Sequence, residues 1–242
     1  MVQEVSNSGK VALWIGFVGM ALPTIIFYLW YVNETPGKRK FHAITIGITG
    51  MASIAYLFMA SGRGYYIVDD RQFYYMRYID WVITTPLLLL DLCALAACST
   101  EKTMFLILLD VLMIISGALG GLVTTGEKYV FWAMGMLFFI PIIYDLLVSL
   151  KANAAKAGEA AVSSFNTLAL LTVVLWSAYP IVWIIAEGEG TVSPDVEAIL
   201  YVILDVIAKS GFGFLLLTSR DAIAQAVAAS DPEGAQLLDA KQ

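Results

Sequence analysis

The chain has 242 residues, 60% of them hydrophobic and 14% charged, a balance outside that of soluble globular domains and one that makes the lipid bilayer its expected solvent. A formal net charge of -6 offers no basic surface for a phosphate backbone, which excludes nucleic acid as a partner. Cys93 and Cys98, five apart on an apolar stretch, fit neither a CxxC redox pair nor a zinc site, and the single His42 adds no ligand set, so the cysteines read as packing residues and no metal is expected.

In chain order, "MVQEVSNSGK" lacks the basic start and small-residue cleavage site of a signal peptide, so the first apolar run is expected to stay in place as a span. Runs long enough to cross a hydrocarbon core, about 20 residues each, lie at 11–32, 42–61, 76–98, 104–123, 129–149, 165–186 and 198–218. Polar connections such as "NETPGKRK", "GRGYYIVDDRQF", "KANAAKAGEAAVSS" and "EGEGTVSPD" separate them. The expected fold is an all-α membrane protein, one seven-transmembrane-helix bundle over residues 1–220, with a polar, Ala-rich tail over 221–242 that forms a short helix before Pro232. With the N-terminus outside, the cytoplasmic segments hold seven basic residues (Lys38, Arg39, Lys40, Lys102, Lys151, Lys156, Arg220) and the outer ones four (Lys10, Arg63, Arg71, Lys128). The positive-inside rule therefore favours N-out and C-in, a multi-pass protein of the cell membrane.

Charges occur where spans should be apolar: Arg77, Asp80 and Asp91 on the third, Asp110 on the fourth, Asp205 and Lys209 on the seventh. Each costs on the order of 2.5–3.5 kcal/mol at mid-membrane, so they must face the interior and find partners. Asp80 and Asp91 are eleven apart, close to three whole turns, so both face one way about 16 Å apart along the axis. Arg77 and Thr84, three before and four after Asp80, share that face. The formal charges of Arg77, Asp80, Asp205 and a cationic Lys209 sum to zero, which predicts one compensated cluster. Asp91, within "LLLLDLCAL", has no cation on its face, and the cost of a bare charge there predicts a carboxyl that holds its proton. A buried Asp205–Lys209 pair could merely lock helices together; the functional alternative is a desolvated lysine that forms a Schiff base with a carbonyl compound. Trp81, Trp132, Trp176, Tyr179 and Trp183, with Met113 and Gly117, fall at compatible depths and could flank an elongated apolar ligand, although each taken singly could be core filler or belt.

The stretches "RYIDWVITTPLLLLDL" (77–92), "LWSAYPIVWIIAEGEG" (175–190) and "ILDVIAKSGFGFLLL" (203–217) resemble the third, sixth and seventh helices of the microbial rhodopsins, specifically the light-driven proton pumps of the bacteriorhodopsin type, and the likeness extends over roughly residues 10 to 220. The resemblance implies all-trans retinal bound covalently as a protonated Schiff base on Lys209. It implies Asp80 as primary proton acceptor, Asp205 as second counterion with Tyr56 near it, and Arg77 as outer gate. It also implies Asp91 as cytoplasmic proton donor with Thr45 as its partner, and Glu187 with Glu197 as a release pair sharing a proton at the outer surface. Trp81, Thr85, Met113, Trp132, Trp176, Tyr179 and Trp183 match retinal-pocket positions, Thr85 and Asp110 a hydrogen-bonded pair, and Leu88 a position that accompanies green absorption. The connection after the sixth helix is one residue shorter than the archaeal pattern and carries an extra Glu189, so a solvated acidic loop is the competing reading of these glutamates.

On the same resemblance, the partners are membrane lipid and protons, and a homo-oligomer, trimer or pentamer, is left open beside a monomer. A sensory photoreceptor is the main alternative and usually lacks the inner carboxyl that Asp91 supplies. A light-gated channel would carry acids on the second helix, where "FHAITIGITGMASIAYLFMAS" has none. Chloride pumping would need a neutral residue at position 80, and sodium pumping a trio other than Asp80, Thr84 and Asp91. No Ser-His-Asp set or Walker loop is present, so the chain is not expected to be an enzyme.

Overall fold

The computed structural model describes residues 2–230. Among the described residues, seven helices are long and apolar enough to span a membrane: α1 (Asn7–Val32), α2 (Arg39–Ala60), α3 (Tyr75–Leu95), α4 (Thr100–Leu122), α5 (Lys128–Ala157), α6 (Glu159–Gly188) and α7 (Pro194–Thr218). Between α2 and α3 lies a hairpin of β1 (Tyr66–Val68) and β2 (Arg71–Phe73), and a short helix, α8 (Arg220–Ser230), follows α7. The tail residues 231–242 lie outside the described residues.

The helix ends are set by capping and not by where apolarity begins. Ser6 accepts the Ser8 N–H at 3.2 Å, and Ser193, with Pro194 in the first helical position, accepts the Val196 N–H at 3.3 Å. Hence α1 and α7 start about a turn before the apolar runs at 11 and 198. The segment "KANAAKAGEAAVSS" is a larger correction. It is helical except at Gly158, whose φ of 142° is accessible only to glycine, so α5 and α6 extend past the expected 149 and 165. Gln225 of α8 accepts the otherwise orphaned Ala161 N–H of α6 at 3.0 Å.

The connection "GRGYYIVDDRQF" was expected only as a polar link and contains the hairpin. Asp69 and Asp70 adopt positive φ (51° and 56°), the turn geometry that matches the right-handed twist of paired strands. Tyr66 pairs with Phe73 and Val68 with Arg71. The N-terminal residues run alongside, Gln3 donating its N–H to Asp70 O (2.7 Å) and accepting from Gln72 N (2.9 Å).

Sequential helices pack against one another, and α1 touches both α2 and α7, so the row closes into a ring. In its most apolar stretch α3 has 61% of residues buried and α7 50%, against 22% for α4 and 28% for α1. The two helices that carry Arg77, Asp80, Asp91, Asp205 and Lys209 are thus those most enclosed by protein, which spares these groups direct contact with lipid. Thr84 and Thr85 donate to the carbonyls of Asp80 (2.9 Å) and Trp81 (2.7 Å), satisfying their hydroxyls inside an apolar helix. Wide π-type turns interrupt α5 at Asp145–Ser149, α6 at Ile184–Gly188 and α7 at Val206–Gly211. Such turns often mark functional positions, and the last contains Lys209.

Candidate functional site

Lys209 is buried at the centre of the bundle, where its Nζ donates to Asp80 Oδ2 of α3 and lies 3.0 Å from Asp205 Oδ1, one turn earlier on α7. Three helices supply donors to Asp205: Tyr56 OH of α2 to Oδ2 at 2.6 Å, and Tyr179 OH of α6 and Trp81 Nε1 of α3 to Oδ1 at 2.8 and 3.2 Å. Both oxygens of Asp205 are therefore engaged, while Asp80 Oδ1 is buried without a partner among the described residues.

The single neutral cluster expected from the charges is not what forms. Arg77 turns away from the two aspartates: its Nη1 lies 2.6 Å from Glu197 Oε1 and 3.7 Å from Glu187 Oε1, with the guanidinium over the Tyr201 ring at 4.2 Å. The reason is competition, since two further carboxylates on the N-terminal side reach Arg77 while Lys209 satisfies the aspartates. Lys209, Asp80 and Asp205 then carry a formal net charge of -1 with the amine protonated.

Beside Lys209 opens an almost wholly apolar cavity with about 780 Å³ not filled by atoms, its mouth included. All the residues the sequence nominated for a ligand line it: Trp81, Thr85, Met113, Gly117, Trp132, Trp176, Tyr179, Trp183 and Lys209, and Leu88 joins them. The donor chemistry fits an elongated apolar molecule with a carbonyl at one end, because the buried primary amine is the wall's lone basic group. Trp132 Nε1 donates to the Pro180 carbonyl (3.1 Å), and Trp81 meets Tyr179 edge to face with centroids 5.1 Å apart, which fixes two aromatic walls. Tyr78, Met136, Phe139, Pro180, Tyr201 and Ala208 also line the cavity and were missed. Met136 and Phe139 lie four and seven residues after Trp132, a helical spacing that could have found them.

Further along α3, Asp91 is fully buried beside Leu88, Leu89 and Leu92; Thr45 Oγ1 of α2 donates to its Oδ2 at 3.1 Å, and its Oδ1 has no partner among the described residues. Thr85 Oγ1 lies 2.7 Å from Asp110 Oδ2, a hydrogen-bonding distance that joins α3 and α4. Both pairs are the ones the sequence nominated.

At the N-terminal end, Glu187 and Glu197 come together but not at the surface: their side chains are 4% and 3% exposed. The burial follows from Arg77 and from Arg71 of β2, whose Nη2 lies 2.8 Å from Glu197 Oε2 and which the sequence had not nominated. Tyr78 and Tyr201 donate to Glu187 Oε1 and Oε2, each at 3.3 Å. Of the three acids, Glu189 alone is an exposed loop group, accepting from Tyr129 OH. At Tyr74, just before α3, burial pushes the phenol up to about 12 despite the neighbouring Arg77, so it is a neutral hydroxyl at physiological pH.

The chain matches the family model described as "Bacteriorhodopsin-like protein" over residues 7–223. It is 41% identical to Archaerhodopsin-2 of Halobacterium sp. (strain aus-2), across 96% of this chain and 94% of that protein. Sensory rhodopsin-2 of Natronomonas pharaonis is 33% identical across 84% of this chain and 86% of its own length. Among solved structures, the light-driven proton pump rhodopsin of Coccomyxa subellipsoidea superposes with a TM-score of 0.88 at 34% identity, across 90% of this chain and 99% of that one.

Proposed function

Because this chain belongs to the bacteriorhodopsin-like family of microbial rhodopsins, seven-helix retinal proteins of the membrane, we propose that it is a light-driven outward proton pump with all-trans retinal on Lys209. The observation that carries this reading is a pair of carboxyls on one helix, Asp80 touching Lys209 and Asp91 eleven residues beyond it with only Thr45 as partner. The archaeal and algal likenesses support it. The excess of basic residues at one end of the bundle, with Lys38, Arg39 and Lys40 at the start of α2, Lys102 at the start of α4, Lys151 and Lys156 at the end of α5 and Arg220 at the start of α8, supports an N-terminus outside, residues 1–220 as the membrane unit and 221–242 as a cytoplasmic tail.

Bound as a Schiff base on Lys209, retinal would supply a light-driven change of shape beside the lysine nitrogen. Asp205, held by three donors, remains the fixed anion that offsets the lysine's charge. Asp80 is the acceptor, since its Oδ1 is open to a proton while both Asp205 oxygens are engaged. Thr84, bonded to the Asp80 carbonyl one turn back, holds that turn of α3 in place. Asp91 keeps a proton in its apolar surroundings and delivers it from the cytoplasmic side. Two carboxyls on opposite sides of one nitrogen, used in turn, give transport its direction. On the outer side Arg77 and the glutamates form the exit, while Trp81, Trp132, Trp176, Tyr179 and Trp183 hold the ligand in line, with Thr85, Met113 and Gly117 at its flank and apolar walls excluding water.

The test is the pH of the medium around retinal-supplied cells expressing the chain, under green light, with and without a protonophore. Acidification that the protonophore abolishes is expected. A coloured protein that moves no protons would shift the reading to a photoreceptor, the activity suggested by its likeness to Sensory rhodopsin-2.

A further inference from the structure

Arg71 stands outside every role assigned so far, yet it is 11% exposed and holds four parts of the protein together. It lies on β2; its Nη1 donates to the Val192 carbonyl between α6 and α7 (2.8 Å) and to Gln3 Oε1 of the N-terminal segment (3.3 Å), and its Nη2 pairs with Glu197 of α7. Glu197 is therefore bracketed, Arg71 on Oε2 at 2.8 Å and Arg77 on Oε1 at 2.6 Å. A protonated carboxyl has one oxygen carrying hydrogen, which cannot accept well from a guanidinium, so two charge-assisted bonds on two oxygens select the anion. Glu187 has no such bond. Its acceptor bonds come from two neutral phenols, Tyr78 and Tyr201, and Arg77 at 3.7 Å is already committed to Glu197. A buried carboxylate so supported is the costlier of the two to keep ionised.

We propose that Arg71 is a positioning residue of the proton exit: by pinning Glu197 as the anion, it leaves Glu187 as the single carboxyl that holds and releases the pumped proton. This rests on the reading of the two glutamates as that exit. Beside Glu187 is a polar cavity of about 630 Å³, mouth included, lined among others by Arg71, Gln72, Lys128 and Glu189, which offers a wet route out. Other ionisable groups near the pair have their own partners or stay neutral. Asp195 accepts from Ser6 N and Oγ (2.8 and 2.5 Å), Lys128 Nζ donates to Gly188 O, Glu189 accepts from Tyr129, and Tyr74 stays neutral. None of them replaces Arg71 on Glu197.

The experiment uses the full chain loaded with retinal, excited by a laser flash, with a soluble pH dye reporting when the proton reaches the medium over a range of pH. Arg71→Gln should keep the wild-type absorption maximum, because Arg71 is not among the residues that line the cavity beside Lys209, yet release its proton at least about tenfold later at neutral pH. Arg71→Met, which keeps the stem without the charge, repeats the test in case the glutamine variant does not fold. Arg71→Lys, which keeps a cation there, should recover early release. Glu187→Gln should abolish it. Wild-type timing and pH profile in the uncharged Arg71 variants, with early release lost in Glu187→Gln, would overturn the role of Arg71 and leave the exit standing. Wild-type release in Glu187→Gln would instead remove the exit itself.

Discussion

At Lys209 two carboxyls of like charge share one amine, and what distinguishes them is the supply of other donors. Besides the lysine Asp205 receives three, whereas among the described residues Asp80 Oδ1 has none. Replacing Asp80 with Asn is therefore expected to abolish transport and to red-shift absorption, since a counterion stabilises the ground state, with positive charge near the nitrogen, more than the excited state; light-driven pH change and a visible spectrum check both. Asp91→Asn should slow the last proton-uptake step about 100-fold, the scale of a lost general acid, and make it depend on the pH of the medium. Flash spectroscopy at several pH values reads this, and wild-type recovery would mean another donor serves. The placement of these residues was legible in the sequence because each sits on a long helix, where spacing fixes the face: Asp80, Asp205 and Lys209 come together at the centre, and Thr45 meets Asp91 as the resemblance implied. Arg71 was not, because it lies on a hairpin whose register comes from pairing with Val68 and Gln3, and no periodicity reports that. Arg77 was found, but its partner was misjudged, since helical spacing gives the face of a side chain and not the direction in which a long flexible one is drawn.

The helices themselves were countable from apolarity, and their ends were not. Hydropathy ends where lipid ends, whereas helical hydrogen bonding continues until a cap or a glycine stops it, as Ser6, Ser193 and Gly158 do here. Gly158 is the clearest case. Its backbone lies in a region that a β-carbon excludes, and the added carbon would also run into the Gln225 side chain that caps α6. Gly158→Ala is expected to cost about 1–3 kcal/mol, read as a lower thermal midpoint with an unchanged visible spectrum; an unchanged midpoint would mean that α5 and α6 can rejoin in another way. The π-type turn around Lys209 was equally invisible in the sequence, because nothing in "VIAKSG" breaks the helical pattern.

For the molecule as a whole, the cavity beside Lys209 is bordered by α3, α4, α5, α6 and α7, so whatever fills it contacts most of the ring at once. Thermal unfolding followed by circular dichroism should show the retinal-loaded protein melting higher than the retinal-free protein by roughly 10 °C, as several kcal/mol of buried apolar contact would give in a chain of this size. Equal midpoints would mean that the helices close on themselves without the ligand. The bond between Ser6 and Asp195 has a different consequence, for biosynthesis. These residues are 189 positions apart, so the first turn of the first span waits for the seventh to emerge before its anchor exists. Sealing of that face is thus among the last events of assembly, and a chain truncated before α7 would reach the membrane without this anchor, its N-terminal residues held by the hairpin.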